Sequence, residues 1–247
     1  MSYPCQECFK KAMGAAQQSL NIVLSAERRM RTVFRSMFKE IGEEGNERLK
    51  GKQVTVAGLG GIGSIVTSIL AREDFSLRLI DKGRVEEVDL NRMGLYQEAD
   101  ITKFKAKQAK TRVAEINPKL PLKCFHEELA ENNVFLVKSD CVIDCTNNAE
   151  ASRLIFSYCQ GAKIPLILAA YAGSKVYLLV ATKRLAKKHL EAFLDHPSTE
   201  DVGAISPATH AAAAIAVAQL FKILLGKGKS WHIEFDTWTG KLKEKQL

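Results

Sequence analysis

The sequence predicts an α/β fold: a mostly parallel sheet with helices on both faces, preceded by a helical N-terminal extension. Three observations predict it. Short apolar runs alternate with amphipathic stretches from residue 53 onward. A glycine-rich turn, GLGGIGS at 58–64, joins the first run to the stretch after it. An apolar fraction of 46% in 247 residues allows one sizeable core. Strands that alternate with helices are covered on both faces, which is the parallel arrangement.

The elements follow in order. Residues 1–50 read as helical and polar-rich, with Arg28, Arg29, Arg31 and Arg35 clustered, and IGEEGNERLKG (41–51) as a short helix leading to a strand. VTVAG is a buried strand, GIGSIVTSILARE a helix and SLRLID (76–81) a strand. A helix over 103–116 ends before Asn117-Pro118, where proline disfavours continuation. LKCFHEEL (122–129) reads as a strand, NNVFLV (132–137) as a short helix and CVIDCT (141–146) as a strand. A helix over 151–162 precedes strands at 164–172 and 175–182. Residues 183–206 show weak apolar periodicity and read as a connecting segment or lid. A helix over 207–225 and a strand pair within WHIEFDTWTG (231–240) complete the chain.

The formal net charge is +8, but much of it lies in runs such as KRLAKK (183–188) and KLKEK (241–245). These read as solvated faces, and with no nucleic-acid motif beside them no nucleic-acid partner is expected. The six cysteines, at 5, 8, 124, 141, 145 and 159, suit a reducing, cytoplasmic compartment. The N-terminus does not read as a signal peptide. No stretch offers about 20 uninterrupted apolar residues, so no membrane span is expected. Residues 208–225 come nearest and read as a buried helix. The five histidines form no ligand spacing. Trp231 and Trp238 read as core or interface residues.

In a doubly wound sheet, ligands bind at the carboxyl ends of the strands. Gly58, Gly60, Gly61 and Gly63 lie there, where backbone can approach phosphate and a helix N-terminus offers free N–H groups. Asp81 ends the next strand, where a carboxylate accepts from ribose hydroxyls. So far an NAD- or FAD-dependent oxidoreductase fits equally well. Asn91 and Arg92 then follow in DLNR, and FKAKQAKTRVAEINP supplies Lys105, Lys107 and Lys110. A dinucleotide's diphosphate needs few cations. A triphosphate undergoing cleavage needs more, so Arg92 and Lys105 favour ATP.

GLGGIGS, LIDKGRVEEVDLNR, KxxxxKxxxxEINP and DCTNN together resemble the ThiF/MoeB/HesA superfamily, relatives of ubiquitin-activating enzymes. The resemblance runs from about Ile41 to the C-terminus. It implies a Rossmann-like fold that binds ATP and Mg²⁺ and adenylates the C-terminal glycine of a small ubiquitin-like or sulfur-carrier protein. It divides the chain into a helical N-terminal extension, 1–40, and an adenylation domain, 41–247. The glycine loop would hold phosphates, Asp81 the ribose, and Asn91, Arg92 and Lys105 the phosphates. Asn147 and Asn148 fall in the nucleotide-binding DCxDN position. The resemblance also implies a homodimer in which an N-terminal arginine reaches the partner's ATP; Arg35 is the first choice and Arg31 the second.

Three departures qualify the resemblance. Asn147 occupies the place of the magnesium-binding aspartate, and an amide brings no charge to the ion. Asp144 is not an obvious substitute. The two CxxC pairs of zinc-holding relatives are missing from the C-terminal half; Cys5-x-x-Cys8 supplies two ligands where four are wanted, so zinc is not expected. Residues 176–247 contain no cysteine, so no thioester is expected there, and Cys145 and Cys159 read as core. A carrier-activating adenylyltransferase leads, a catalytically impaired nucleotide-binding subunit follows, and an NAD-dependent oxidoreductase comes third.

Overall fold

The computed structural model describes residues 31–247, and the alternating pattern from residue 53 folds into one eight-stranded sheet of order β3-β2-β1-β4-β5-β6-β7-β8. β1 (Gln53–Ala57), β2 (Ser76–Ile80), β3 (Leu122–Phe125), β4 (Cys141–Asp144) and β5 (Leu166–Ala172) run parallel. Long crossovers link each to the next, as parallel pairing requires; three are α-helical, and that from β3 to β4 holds a short 3-10 turn at Val134–Val137. β6 (Lys175–Ala181) follows β5 after Gly173-Ser174, too short a link for a crossover, so it returns antiparallel. β7 (Trp231–Asp236) and β8 (Leu242–Gln246) continue antiparallel to the edge.

The chain steps from β1 through α1 (Gly61–Leu70) to β2, and from β2 through α2 (Lys105–Ile116) to β3. It then returns to β4 on the other side of β1 and steps outward through α3 (Ala149–Ala162) to β5. Right-handed crossovers in opposite directions place α1 and α2 on one face and α3 on the other. The sheet therefore reverses its winding between β1 and β4. α4 (Lys187–Leu194) packs on β6 beside α3, and a short helix α5 (Thr199–Val202) lies against β5. The long α6 (Ser206–Leu224) packs on α1 and on β4, β5 and β6.

α6 has the length and apolarity to cross a membrane. Its Ala208, Ala212, Ala213, Ala216 and Leu220 are fully buried, however, and small side chains let it lie close on the sheet. This is the buried helix that 208–225 suggests. On the opposite face Ile155, Phe156, Cys159, Leu190 and Phe193 join the core under β4, β5 and β6. Each such side chain contributes about 1.5–3 kcal/mol by leaving water.

Two expectations change. Residues 183–206 are not a loose lid: α4 lies within them, with Leu190 and Phe193 buried. Its two anchors stand three apart on one helix face, a signal too short for periodicity to raise above loop. The terminal strand pair also extends past residue 240. KLKEK, a solvated charge run by composition, forms most of β8, which is exposed along its length. Lysines on an edge strand discourage pairing with other chains, so charge and strand coexist there.

The described residues divide into two compact units between Glu47 and Arg48. In the first, a five-residue helix at Val33–Met37 precedes the helix Gly42–Leu49, which runs across the division. Arg35 Nε donates to Asn46 Oδ1 at 2.8 Å, and Asn46 Nδ2 donates to Thr32 Oγ1 at 3.3 Å. Arg28, Arg29 and the Cys5-x-x-Cys8 pair lie outside the described residues.

His232 on β7 introduces a pH dependence. Its Nε2 is buried and, among the described residues, finds no hydrogen-bond partner. Its ring lies 6.0 Å from that of His189. Burial first, then His189 and Lys245, push its pKa below the ordinary histidine value. As pH falls below about 6.5 the unfolded chain takes up this proton before the folded one. Stability is then lost as pH falls toward the depressed folded value. We expect the drop in Tm between pH 7 and pH 5 to be smaller in His232→Asn, as read by thermal denaturation at the two pH values.

Candidate functional site

The glycine turn lies at the winding reversal. Gly58 has φ +82°, and a Cβ there would stand 2.6 Å from the Cys145 carbonyl carbon and oxygen. The ends of β1 and β4 thus touch through backbone. A Cβ on Gly63 would stand 1.8 Å from the Gly58 carbonyl oxygen, so α1 packs directly on the turn. Gly61 faces the Tyr171 hydroxyl, 2.6 Å from a would-be Cβ. Gly60, the N-cap of α1, is different: its nearest neighbour would be Met93 Cε at 3.6 Å, and no side chain caps the helix. Its side of the turn is open to a ligand, and α1 presents free N–H groups there.

Asp81 follows β2. Its Oδ2 accepts from Leu59 N at 2.6 Å and its Oδ1 from Gly83 N at 2.6 Å. The carboxylate is thereby fixed against the glycine turn, and each oxygen keeps a lone pair for another donor. A cavity of about 410 Å³ opens beside it, lined by Gly58, Asp81, Thr146 and Asn148 among others. Its rim carries Glu127, Glu128, Glu131 and Glu150, with Lys82 ion-paired to Glu128. So acidic a rim suits a base and ribose better than an added 2′-phosphate.

The two cations meet at a residue that the sequence reading missed. Asp89 is 4% exposed. Lys105 Nζ lies 2.9 Å from its Oδ2, and Arg92 Nη2 lies 3.2 Å from its Oδ1. Arg92 Nε donates to the Tyr171 hydroxyl at 3.1 Å, which returns the chain of contacts to Gly61. Lys105 passes Gly83, whose carbonyl accepts from Lys105 N at 2.9 Å. The Thr209 hydroxyl, 2.8 Å from the Ser206 carbonyl, also reaches that of Arg92 at 3.3 Å. The glycine turn, Asp81, Lys105, Asp89, Arg92 and Tyr171 thus form one connected constellation. Asp89 lay in the quoted DLNR; an acid next to the candidate cations was the available signal.

Tyr96 was also missed. Its buried hydroxyl donates to Leu59 O at 2.9 Å and braces the turn from below. Burial first, then Asp81, Asp89 and Asp100, hold its pKa well above that of a free tyrosine, so it stays a donor.

Other candidates have quieter places. Asn91 is exposed, and its Oδ1 accepts from Arg92 Nη1 at 3.3 Å. Asn148 caps α3, its Oδ1 accepting from Ala151 N at 2.9 Å. Asn147 is exposed with φ +49°, a left-handed conformation that asparagine tolerates well. Asp144 is buried. Thr146 N, Thr146 Oγ1 and Ser152 Oγ all donate to it, at 2.9, 2.7 and 2.6 Å. Burial nevertheless outweighs these bonds and raises its pKa. It braces the start of α3. Among the described residues no group of three His, Cys, Asp or Glu side chains gathers to hold a metal ion. Mg²⁺ commonly takes only one or two protein oxygens and draws the rest from phosphate and water, and the exposed Asn147 offers one amide oxygen. Arg35 belongs to the other unit.

Cys141, Cys145 and Cys159 are buried and free, and Cys124 is half-buried. Burial pushes the Cys124 thiol up to about 11 and that of Cys159 to about 12. Protonated, buried thiols are poor nucleophiles. KRLAKK lies away from the glycine turn. It lines a cleft of about 930 Å³ at the far end of the sheet, where Ala181 pairs with Leu166 at the start of β5.

A doubly wound sheet reversing at a glycine turn, with a carboxylate closing the second strand, defines a protein of the Rossmann class. Residues 34–246 match the model of the ThiF family, and the chain belongs to that family. It is 27% identical over 220 residues to the molybdopterin-synthase adenylyltransferase of Haemophilus influenzae, covering 85% of this chain and 89% of that one. It is 29% identical over 156 residues to the sulfur carrier protein ThiS adenylyltransferase of Escherichia coli, 62% of each chain. A crystal structure of E. coli MccB with ATP matches the fold at TM-score 0.69 and 20% identity, over 82% of this chain and 66% of MccB. PaaA matches at TM-score 0.72 and 21% identity, over 91% of this chain and 74% of PaaA.

The glycines can be told apart experimentally. Gly63→Ala drives a methyl into backbone, and we expect a loss of about 3 kcal/mol or more in chemical denaturation. Gly60→Ala, facing open space, should cost far less stability while weakening nucleotide binding. Equal stability losses in the two variants would contradict this division of roles.

Proposed function

We propose that this protein is an ATP-dependent adenylyltransferase that activates the C-terminal carboxylate of a small ubiquitin-like or sulfur-carrier protein. The observation that carries the reading is the convergence of Arg92 and Lys105 on one buried carboxylate, connected through Tyr171 to the N-terminus of α1. A cation pair at that place suits a triphosphate whose terminal phosphates leave. The names of the relatives support the same chemistry.

In this reading Asp81 accepts from the ribose, and the open side of the turn at Gly60 receives phosphate on backbone N–H groups. A carboxylate oxygen of the carrier bonds to the α-phosphorus. The bond from that phosphorus to the bridging oxygen breaks, and its electron pair departs with pyrophosphate. Arg92 and Lys105 neutralise the charge that grows on the leaving group. In this reading none of Cys124, Cys141, Cys145 and Cys159 takes up the acyl group, and the acyl-adenylate is the product. Asn91 would orient Arg92. A partner copy would supply Arg35 in a homodimer.

A second reading, a nucleotide-binding subunit with impaired catalysis, is favoured by Asn147, which places an uncharged amide where a metal-binding carboxylate is expected. In the catalytically active reading, by contrast, magnesium would arrive on ATP and be held mainly by its phosphates.

Thermal stabilisation separates the readings, because a ligand of the folded state raises Tm by mass action. Mg-ATP should stabilise the protein, with EDTA reducing the effect. Equal stabilisation in EDTA would favour the impaired subunit, and stabilisation by NAD but not ATP would overturn both. Arg92→Ala and Lys105→Ala should each abolish carrier-dependent ATP–pyrophosphate exchange in protein that still melts cooperatively, at a Tm lowered by the loss of a partner of buried Asp89; full exchange in both would sink the site assignment. Asn147→Asp should tighten Mg²⁺ dependence, read as a lower half-saturating concentration of the ion.

A further inference from the structure

Arg92 and Lys105 are long, flexible side chains with like charge, 25% and 14% exposed. Left to themselves they would repel each other and spread into solvent, losing any fixed spacing. Asp89 prevents this. It opens onto Arg92 with Oδ1 and onto Lys105 with Oδ2. It is itself held by Glu86 N, which donates to Oδ2 at 3.2 Å, within a capping box around the turn Glu87–Asp89. Val88 O, Asn91 Oδ1 and the Tyr171 hydroxyl accept from other donors of Arg92 and hold its guanidinium in place. A buried ion pair of this kind is weak evidence for stability but fixes geometry.

We propose that Asp89 is a positioning residue that sets Arg92 and Lys105 as a two-pronged clamp for the β- and γ-phosphates of ATP. The proposal rests on the ATP reading above and deepens it. Asp89 acts through the two cations and touches no substrate. Its charge also leaves the clamp with one net positive charge in the empty site, so the cations stay folded in rather than dispersing. The consequence is specific. Losing Asp89 should harm the recognition of ATP, which has β- and γ-phosphates, far more than that of AMP, which lacks them.

Asp89→Asn is the informative variant, because its amide oxygen can still accept from Glu86 N while the charge is gone. We expect its affinity for ATP by titration calorimetry to fall about tenfold or more, with AMP affinity nearly unchanged. In an Arg92→Ala/Lys105→Ala background the same substitution should have no further effect on the ratio of ATP to AMP affinity, since the groups it positions are gone. Thermal melts of every variant check that each is folded. An unchanged ATP-to-AMP ratio in Asp89→Asn, with Asp89→Ala merely lowering Tm, would make Asp89 a capping residue and overturn the proposal. Additive losses in the triple variant would overturn it as well. Wild-type protein that binds AMP and ATP normally isolates such a failure to Asp89. Wild-type protein that binds neither would overturn the nucleotide reading and this proposal with it.

Discussion

Backbone packed directly on backbone at the glycine turn is the constraint on which the site depends. β1 and β4 finish side by side, and the turn leaving β1 lies against the Cys145 carbonyl with no room for a side chain. α1 then lies on the same turn, again with no room for a Cβ at Gly63. Hydrogen-bonded strands alone would leave the turn free to choose its path. The double contact removes that choice. It fixes where α1 begins, and hence where its unpaired N–H groups point. The candidate site inherits its position from this steric constraint.

Around that fixed point, charge is arranged unevenly. The cavity beside Asp81 has an acidic rim, whereas the cations lie on the other side of the glycine turn near Tyr171. A ligand with a neutral end and an anionic end fits that gradient in one orientation. Desolvation makes the arrangement costly unless each charge is paired. Asp89 pairs two cations at once, and Asp100 is similarly enclosed with Arg112 at 2.8 Å. The loop between β2 and α2 is therefore shaped by two buried acids, each seated in its own capping box.

The antiparallel half does different work. No helix separates β5 from β6, so β6 returns antiparallel, and after α4, α5 and α6 the strands β7 and β8 widen the sheet further. The segment 195–205 then comes back to the end of β5, where Gly173 N donates to Gly203 O at 2.8 Å and Ile205 N to Gly173 O at 3.1 Å. That closure places the start of α6, with Thr209, beside Arg92. Residues far apart in the chain share the site because the sheet is extended there and not ended.

The sequence by itself determined the alternation of strands and helices, the glycine turn and the carboxylate after β2. These are local signals: period, small residues at a turn, and an acid at a strand end. It also supplied Arg92 and Lys105 as cations in the right order. What it left open was decided by tertiary contacts. α4 owes its existence to the burial of Leu190 and Phe193 against β6, and β8 to pairing with β7, since neither segment carries enough periodicity of its own. Asp89 looked like one acid among several in a charged loop. Only folding brought it between Arg92 and Lys105, because the capping box turns its side chain inward while α2 carries Lys105 back across it. Asp144 neighbours the site in sequence, yet backbone and hydroxyl donors claim it, while Asn148 both caps α3 and lines the cavity beside Asp81. Desolvation penalises any polar group left without a partner, and which partner it finds is a property of the fold.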